Sequence, residues 1–330
     1  MGSVLGYPST GNLKAEKGNV LHKVLETLAQ YKLALQNKET KFSNDAFGEV
    51  QANPSECDPR VLLDKAYDYY KSRSTNKWDD VVDKEECWAW VKVALEYQKG
   101  RFDPRLNTIV SPEQHFDIEV PHSWGEYYFR LGDEEIKGKL RIKGTIDLIQ
   151  EAGKNYYEIV DYKTGSRRDW ITGTEKTPEK LNKDTQLKLY YYAARLLYPN
   201  IKNISVTIYF LNHGGPFTIA FDDNTVTEIE YYLKATFNKI KGTLITRKNI
   251  SFDRRKLNCT WCDFYKQKNK NGQTICDEVH KNILKEGINK TTMKYMQDKS
   301  VLTTYQEGGG STEHGKKNLD SQLTNPPTNV

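Results

Sequence analysis

Two aspartates and a lysine carry the clearest chemistry in this chain. They are Asp147 in Gly144-Thr-Ile-Asp147, and Asp161 and Lys163 in Glu158-Ile-Val-Asp161-Tyr-Lys163-Thr-Gly165. Side chains alternate along a strand, so Asp161 and Lys163 leave the same face. Residues 151–155 contain Gly and Asn and read as a tight turn, which folds the strand of Asp147 back beside that of Asp161. Two carboxylates and an ammonium then converge near the strand ends. This set suits phosphodiester hydrolysis. Magnesium takes oxygen ligands, often only one or two carboxylates completed by water and phosphate, and manganese takes similar ligands. Such an ion polarises the phosphate and makes a bound water more acidic. A lysine beside it can orient or deprotonate the attacking water, or offset charge on phosphorus. A lone D-x-K triplet is common on solvated hairpins. G-x-x-D, a turn, and a strand-borne D-x-K-T-G together are much more specific.

The elements that must hold these residues are legible in the hydropathy pattern. Residues 139–150 alternate, with Leu140, Ile142, Gly144, Ile146 and Leu148 on one face and Arg141, Lys143, Thr145 and Asp147 on the other. The return strand is 156–163. Further strands are expected at 114–120, 127–131, 204–211 and 217–221. Helices are expected at 17–36, 60–72, 85–97, 184–198, 225–245 and 277–285. A polar loop should occupy 37–59, and 101–112 reads as a linker with two prolines. The tail from about 307 is Gly/Ser/Thr/Asn/Pro-rich and reads as disordered. The expected class is α/β: a mixed sheet flanked by helices, with a helical N-terminal region. The expected organisation is a helical part (1–112), a core with a cysteine segment (113–290) and a flexible tail (291–330).

Bulk properties narrow the function. No apolar run approaches the roughly 18 residues of a membrane span, and residues 1–18 hold no apolar signal core, so a cytoplasmic protein is expected, in a prokaryotic or phage-infected cell. There is no G-x-x-x-x-G-K-[ST] loop, so any helicase acting with this chain is a separate partner. The net charge of +5 is compatible with nucleic acid without demanding it. The 21 tyrosines, mixed with Lys and Arg, suit a single-stranded segment, on which bases stack and phosphates meet cations. Cys259-Thr-Trp-Cys262 with Cys276 beyond it is a set of thiolates for zinc or an iron–sulfur cluster. The odd total of five cysteines argues against a disulfide framework.

The hairpin resembles the RecB/AddB-type branch of the PD-(D/E)XK nuclease superfamily, and three other blocks extend the resemblance in the same order. Gly18-Asn-Val-Leu-His22-Lys-Val-Leu-Glu26 is similar to its G-x-x-x-H-x-x-x-E helix. Glu113-Gln-His-Phe116 is similar to its E-x-x-F strand, and Gln186-Leu-Lys-Leu-Tyr190 to its Q-x-x-x-Y helix. The resemblance covers roughly residues 17–280. It implies a restriction-endonuclease-like fold and a magnesium- or manganese-dependent DNA nuclease, with exonuclease action fitting best, in repair, recombination or phage DNA metabolism. It further implies metal ligation by Asp147 and Asp161, with His22 and Glu113 assisting, and Gln186 and Tyr190 at the site or the DNA backbone. Glu119 competes with Glu113 for its role. Lys188 and Arg195 are candidate phosphate contacts that position without specifying sequence.

The chain departs from the iron–sulfur members of that branch. No cysteine precedes His22; Tyr7-Pro8 stands where Cys-Pro is expected, and the gap from Cys262 to Cys276 is long. Three readings stay open: a lost cluster, a fourth ligand from Cys57 or Cys87, or zinc with His280. Two functional competitors also stand: a catalytically inactive nuclease fold that binds DNA or assembles, and a metal-knuckle interaction protein whose hairpin is incidental.

Overall fold

The computed structural model describes residues 12–131, 134–168, 173–212, 214–242, 268 and 271–287. They fall in two compact units, one of residues 14–72 with 78–242 and one that holds the other described residues. Cys259 and Cys262 lie outside the described residues, as does the expected tail.

The larger unit begins with α1 (Leu13–Gln36). Val20, Leu21, Val24, Leu25 and Leu28 form its buried stripe at helical spacing. A hairpin follows, β1 (Lys41–Asn44) with β2 (Gly48–Gln51), where sequence reading expected a loop. Each strand has four residues, too short for a period-2 signal to emerge. The hairpin is anchored by Asn44, which donates to Gln30 Oε1 at 2.9 Å and to Thr27 Oγ1 at 3.2 Å on α1. Helix α2 (Pro59–Lys71) starts on Asp58, whose carboxylate caps Arg60 N and Val61 N, with Pro at the first turn. Helix α3 (Val82–Glu96) completes the N-terminal helices.

The central sheet has five strands in the order β3-β6-β7-β8-β9. These are β3 (Ile109–Glu119), β6 (Arg141–Gly153), β7 (Tyr156–Lys163), β8 (Asn203–Phe210) and β9 (Gly215–Ala220). All neighbours run antiparallel except β7 and β8, which run parallel, so the sheet is mixed. Between β3 and β6 a separate hairpin forms from β4 (Glu126–Leu131) and β5 (Glu134–Lys139). Strand β3 starts five residues before the expected 114 and contains Pro112. A proline supplies no N–H to a ladder, and β3 is an edge strand, where that loss is tolerated.

One face of the sheet carries Tyr162 and its register partner Tyr209, packed with Phe102 and Tyr97. The opposite face buries Ile159, Val206 and Ile208 with Leu187, Tyr191 and Ala194 of α5 (Thr185–Leu197) and Ile229 of α6 (Asp223–Lys241). A short α4 (Pro178–Leu181) precedes α5. Asp184 caps α5 by accepting from Gln186 N at 2.9 Å, and Asp222 closes a capping box on α6. This is the expected restriction-endonuclease-like arrangement of a mixed sheet between helices.

In the second unit, α7 (Ile275–Glu286) opens on a Thr274–Asp277 capping box. It buries Ile275, Val279 and Ile283. Cys276 is partly buried in its first turn, and His280 follows one turn later. Among the described residues no helix is long and apolar enough to cross a membrane.

Candidate active site

The sheet register builds the site. Between the pairs Pro112↔Leu148 and Gln114↔Ile146, Glu113 falls opposite Asp147. On the other side, the β6–β7 ladder ends at Leu148↔Val160, so Asp147 is level with Asp161. Three carboxylates thus lie in a row at one level of β3, β6 and β7; the Asp147 charge is felt by Asp161, and Glu113 lines one cavity with Asp147. At the next rung Asp147 takes over from the backbone: its Oδ2 accepts from Tyr162 N at 2.9 Å. That bond satisfies the strand and aims the carboxylate at the row.

Three side chains complete the centre. His22 Nδ1 on α1 lies 3.3 Å from Asp147 Oδ2. Lys163 Nζ donates to Asp161 Oδ1 at 2.9 Å and lies 2.7 Å from Oδ2. Gln186 Nε2 donates to the Tyr190 hydroxyl at 2.7 Å on α5, and Tyr190 feels the Asp161 carboxylate. Glycines allow the close approaches. A Cβ on Gly18 would lie 3.0 Å from Thr164 Oγ1, so α1 passes tightly over the residue after Lys163. A Cβ on Gly144 would lie 2.5 Å from Cζ of the Phe116 ring, its register partner on β3.

The two aspartates have opposite electrostatics. Asp161 is 1% exposed. Burial and, in lesser part, the Asp147 charge push its carboxyl up to about 6, against the pull of Lys163. Asp147 is half-buried, and His22 and the Tyr162 N–H outweigh its desolvation and lower its pKa. His22 is raised in turn, because Asp147 outweighs its desolvation. This is the divergence expected of a site built to hold charge.

The donor set fits a hard divalent cation. Asp161 Oδ2 is buried without a hydrogen bond of acceptable geometry, despite the nearby ammonium. An acceptor stripped of water and left without a hydrogen bond costs about 1–3 kcal/mol, which a bound cation would offset. A narrow cavity of about 30 Å³ opens beside Asp147, lined by His22, Glu26, Glu113, Leu25, Leu148 and Tyr162. Among the described residues no group of three or more His, Cys, Asp or Glu side chains is placed to hold a metal ion by itself. Magnesium commonly takes one or two carboxylates and leaves its other positions to water and phosphate.

Sequence reading missed part of the surroundings. Lys23, on α1 beside His22, contacts Glu26 and lies 3.7 Å from Glu113 Oε2. Burial, followed by hydrogen bonding to Glu113, pushes the Glu26 carboxyl up to about 8. A signal was present: Lys23, Glu26, Thr27 and Gln30 form one polar stripe at spacings of three and four along the helix. Glu113 has φ +43°, a conformation a non-glycine residue adopts only when its surroundings enforce it. Glu119 instead faces Lys139 and Arg141 at the far end of β3. The structure also gives the two candidate phosphate contacts protein partners. Lys188 pairs with Glu228 of α6 at 2.6 Å. Arg195 bonds Ile201 O at 3.1 Å and lies 3.4 Å from Asp223.

Compared with known protein families, residues 1–267 match the PD-(D/E)XK nuclease superfamily, and the chain belongs to it. Comparisons with curated proteins and with solved structures give no match.

Proposed function

We propose that this chain is a magnesium- or manganese-dependent DNA nuclease of the RecB/AddB-like branch, acting as an exonuclease. The observation that carries the reading is the row Glu113–Asp147–Asp161 with Lys163 bonded to its innermost carboxylate. Asp147 and Asp161 would hold the metal, with His22 and Glu113 at its flank. A bound ion would supply Lewis-acid polarisation of the phosphate and a more acidic water. The chain's own residues do the rest. Tyr162 N fixes the Asp147 carboxylate before any ligand arrives. Lys163, about a third exposed, keeps its ammonium at the edge of the site, where it can orient water and offset charge on the phosphate. Gln186 holds the Tyr190 hydroxyl beside Asp161 and closes that side of the centre. Lys188 and Arg195 would meet phosphate only by giving up Glu228 and Asp223.

The test is cleavage of end-labelled single- and double-stranded DNA with magnesium, manganese or EDTA, for wild type and Lys163→Ala. Metal-dependent cutting should fall by about 10²–10⁴-fold in the variant. Stepwise shortening from an end identifies exonuclease action. DNA binding without cutting under either metal would replace this reading with that of an inactive nuclease fold.

A further inference from the structure

Lys23 has no part in the chemistry above, yet its ammonium lies against Glu26 and near Glu113, two residues that line the same cavity. Its side chain is 6% exposed. It contacts the Glu26 carboxylate, bonds Asp45 Oδ1 at 2.5 Å and lies 3.7 Å from Glu113 Oε2. Glu26 is itself buried and held from the other side by Gln30 Nε2 at 3.0 Å. Glu26 and Glu113 line the cavity together with His22 and Asp147. Fully buried lysines are rare, and desolvating one costs several kcal/mol before its partners compensate. Removing the ammonium alone would leave Glu26 and Glu113, which share a hydrogen bond, beside a position with no cation on it, where a divalent ion could displace the proton of Glu26. That is the environment that draws in a divalent cation.

We propose that Lys23 is a positioning residue whose ammonium fills the place of a second divalent cation against Glu26 and Glu113, so that the centre takes a single metal ion on Asp147 and Asp161. The inference rests on the metal-dependent reading above. Lys23 lies against both glutamates, and it blocks them as ligands. Magnesium needs oxygens at about 2.0–2.1 Å, and the ammonium lies among the oxygens it would have to gather. Asp45, 75% exposed, is free to reorient and is not part of the enclosed set.

The experiment counts manganese ions bound to the full chain without DNA, by titration against the EPR signal of free Mn²⁺. Wild type and Lys23→Arg should bind one ion per chain. Lys23→Met and Lys23→Gln should each bind a second, which adding Glu113→Gln removes. Asp161→Asn should abolish the single wild-type ion. A purely structural lysine would leave the count unchanged. Two ions in wild type overturn the inference while leaving the metal-dependent reading intact. One ion in a neutral variant whose circular dichroism matches wild type does the same. No ion in wild type overturns both. If one neutral variant fails to fold, the wild-type count and the other variant still decide.

Discussion

The ring of Phe116 lies over Gly144, its cross-strand partner, closely enough that a Cβ there would sit 2.5 Å from the ring. Three residues along, the same antiparallel register sets Glu113 opposite Asp147. The blocks Glu113-x-x-Phe116 and Gly144-x-x-Asp147 are therefore the two sides of one ladder, read in opposite directions. Gly144→Val is expected to destabilise the fold by about 1–3 kcal/mol through overpacking. Adding Phe116→Leu should recover part of the loss. Urea denaturation of wild type and the two variants checks this, and a double variant no more stable than the single one would contradict the contact.

Asp161→Asn should separate stability from function. A carboxyl whose folded pKa of about 6 exceeds its unfolded value opposes folding once it is ionised. Without metal the penalty is absent below the unfolded pKa near 4, and complete above about 6. At pH 7.5 in EDTA, Asp161→Asn should therefore be more stable than wild type, by on the order of 1–3 kcal/mol. Magnesium should raise the melting temperature of wild type and leave that of the variant unmoved. Thermal scans with and without metal are the measurement.

Glu113 keeps an unfavourable backbone, φ +43°, beside the site. Replacing it with glycine relieves a strain of about 1–3 kcal/mol. Glu113→Gly is expected to gain stability or hold it while manganese affinity falls. Calorimetric titration with manganese, beside urea denaturation, reads both. Undiminished affinity would detach Glu113 from the metal.

The buried pair of Lys17 and Asp83, 2.8 Å apart with side chains 8% and 10% exposed, ties α1 to α3, and Glu86 adds a second carboxylate. Burial works against both charges, and the pairing overcomes it in each: Asp83 is lowered and Lys17 raised. The Asp83 contribution is present above its unfolded pKa near 4 and is lost as pH falls through the depressed folded value. The Lys17 contribution is complete below its unfolded pKa near 10.4 and is lost as pH rises through the elevated folded one. Urea midpoints of wild type should therefore fall at both extremes. Asp83→Ala should cost about 1–3 kcal/mol at neutral pH, because Lys17 loses one charged partner and keeps Glu86, and its midpoints should flatten on the acid side.

The long, strongly periodic elements were legible in the sequence. Strand β6 showed itself by alternation and β7 as its return after the turn, and α1 by apolar residues at helical spacing. The pair Asp147 and Asp161 was legible because both lie on one hairpin, where chain order and spatial order coincide. The β1–β2 hairpin was not, since its pairing rests on Asn44 docking to α1, a tertiary contact with no local period. The start of β3 was hidden by Pro112, which reads as a breaker unless the strand is known to be an edge. Glu26 was visible as part of a helix motif. That Lys23 neutralises it while facing Glu113 depends on the distance between α1 and β3, which local patterns do not encode.

The bond from Tyr162 N to the Asp147 carboxylate joins residues only 15 positions apart. Short loops close at little entropic cost, so contacts of low sequence separation form early when a chain folds. The paired aspartates can thus assemble with the β6–β7 hairpin alone. His22 and Lys23 must arrive from far upstream, on a helix that can reach the aspartates only through long-range contacts, which on the same basis would form later. The reactive carboxylates would come together first and exposed, and the histidine and the compensating ammonium would reach them only as the fold completes. The order of folding would then also be the order in which the centre acquires its charge balance.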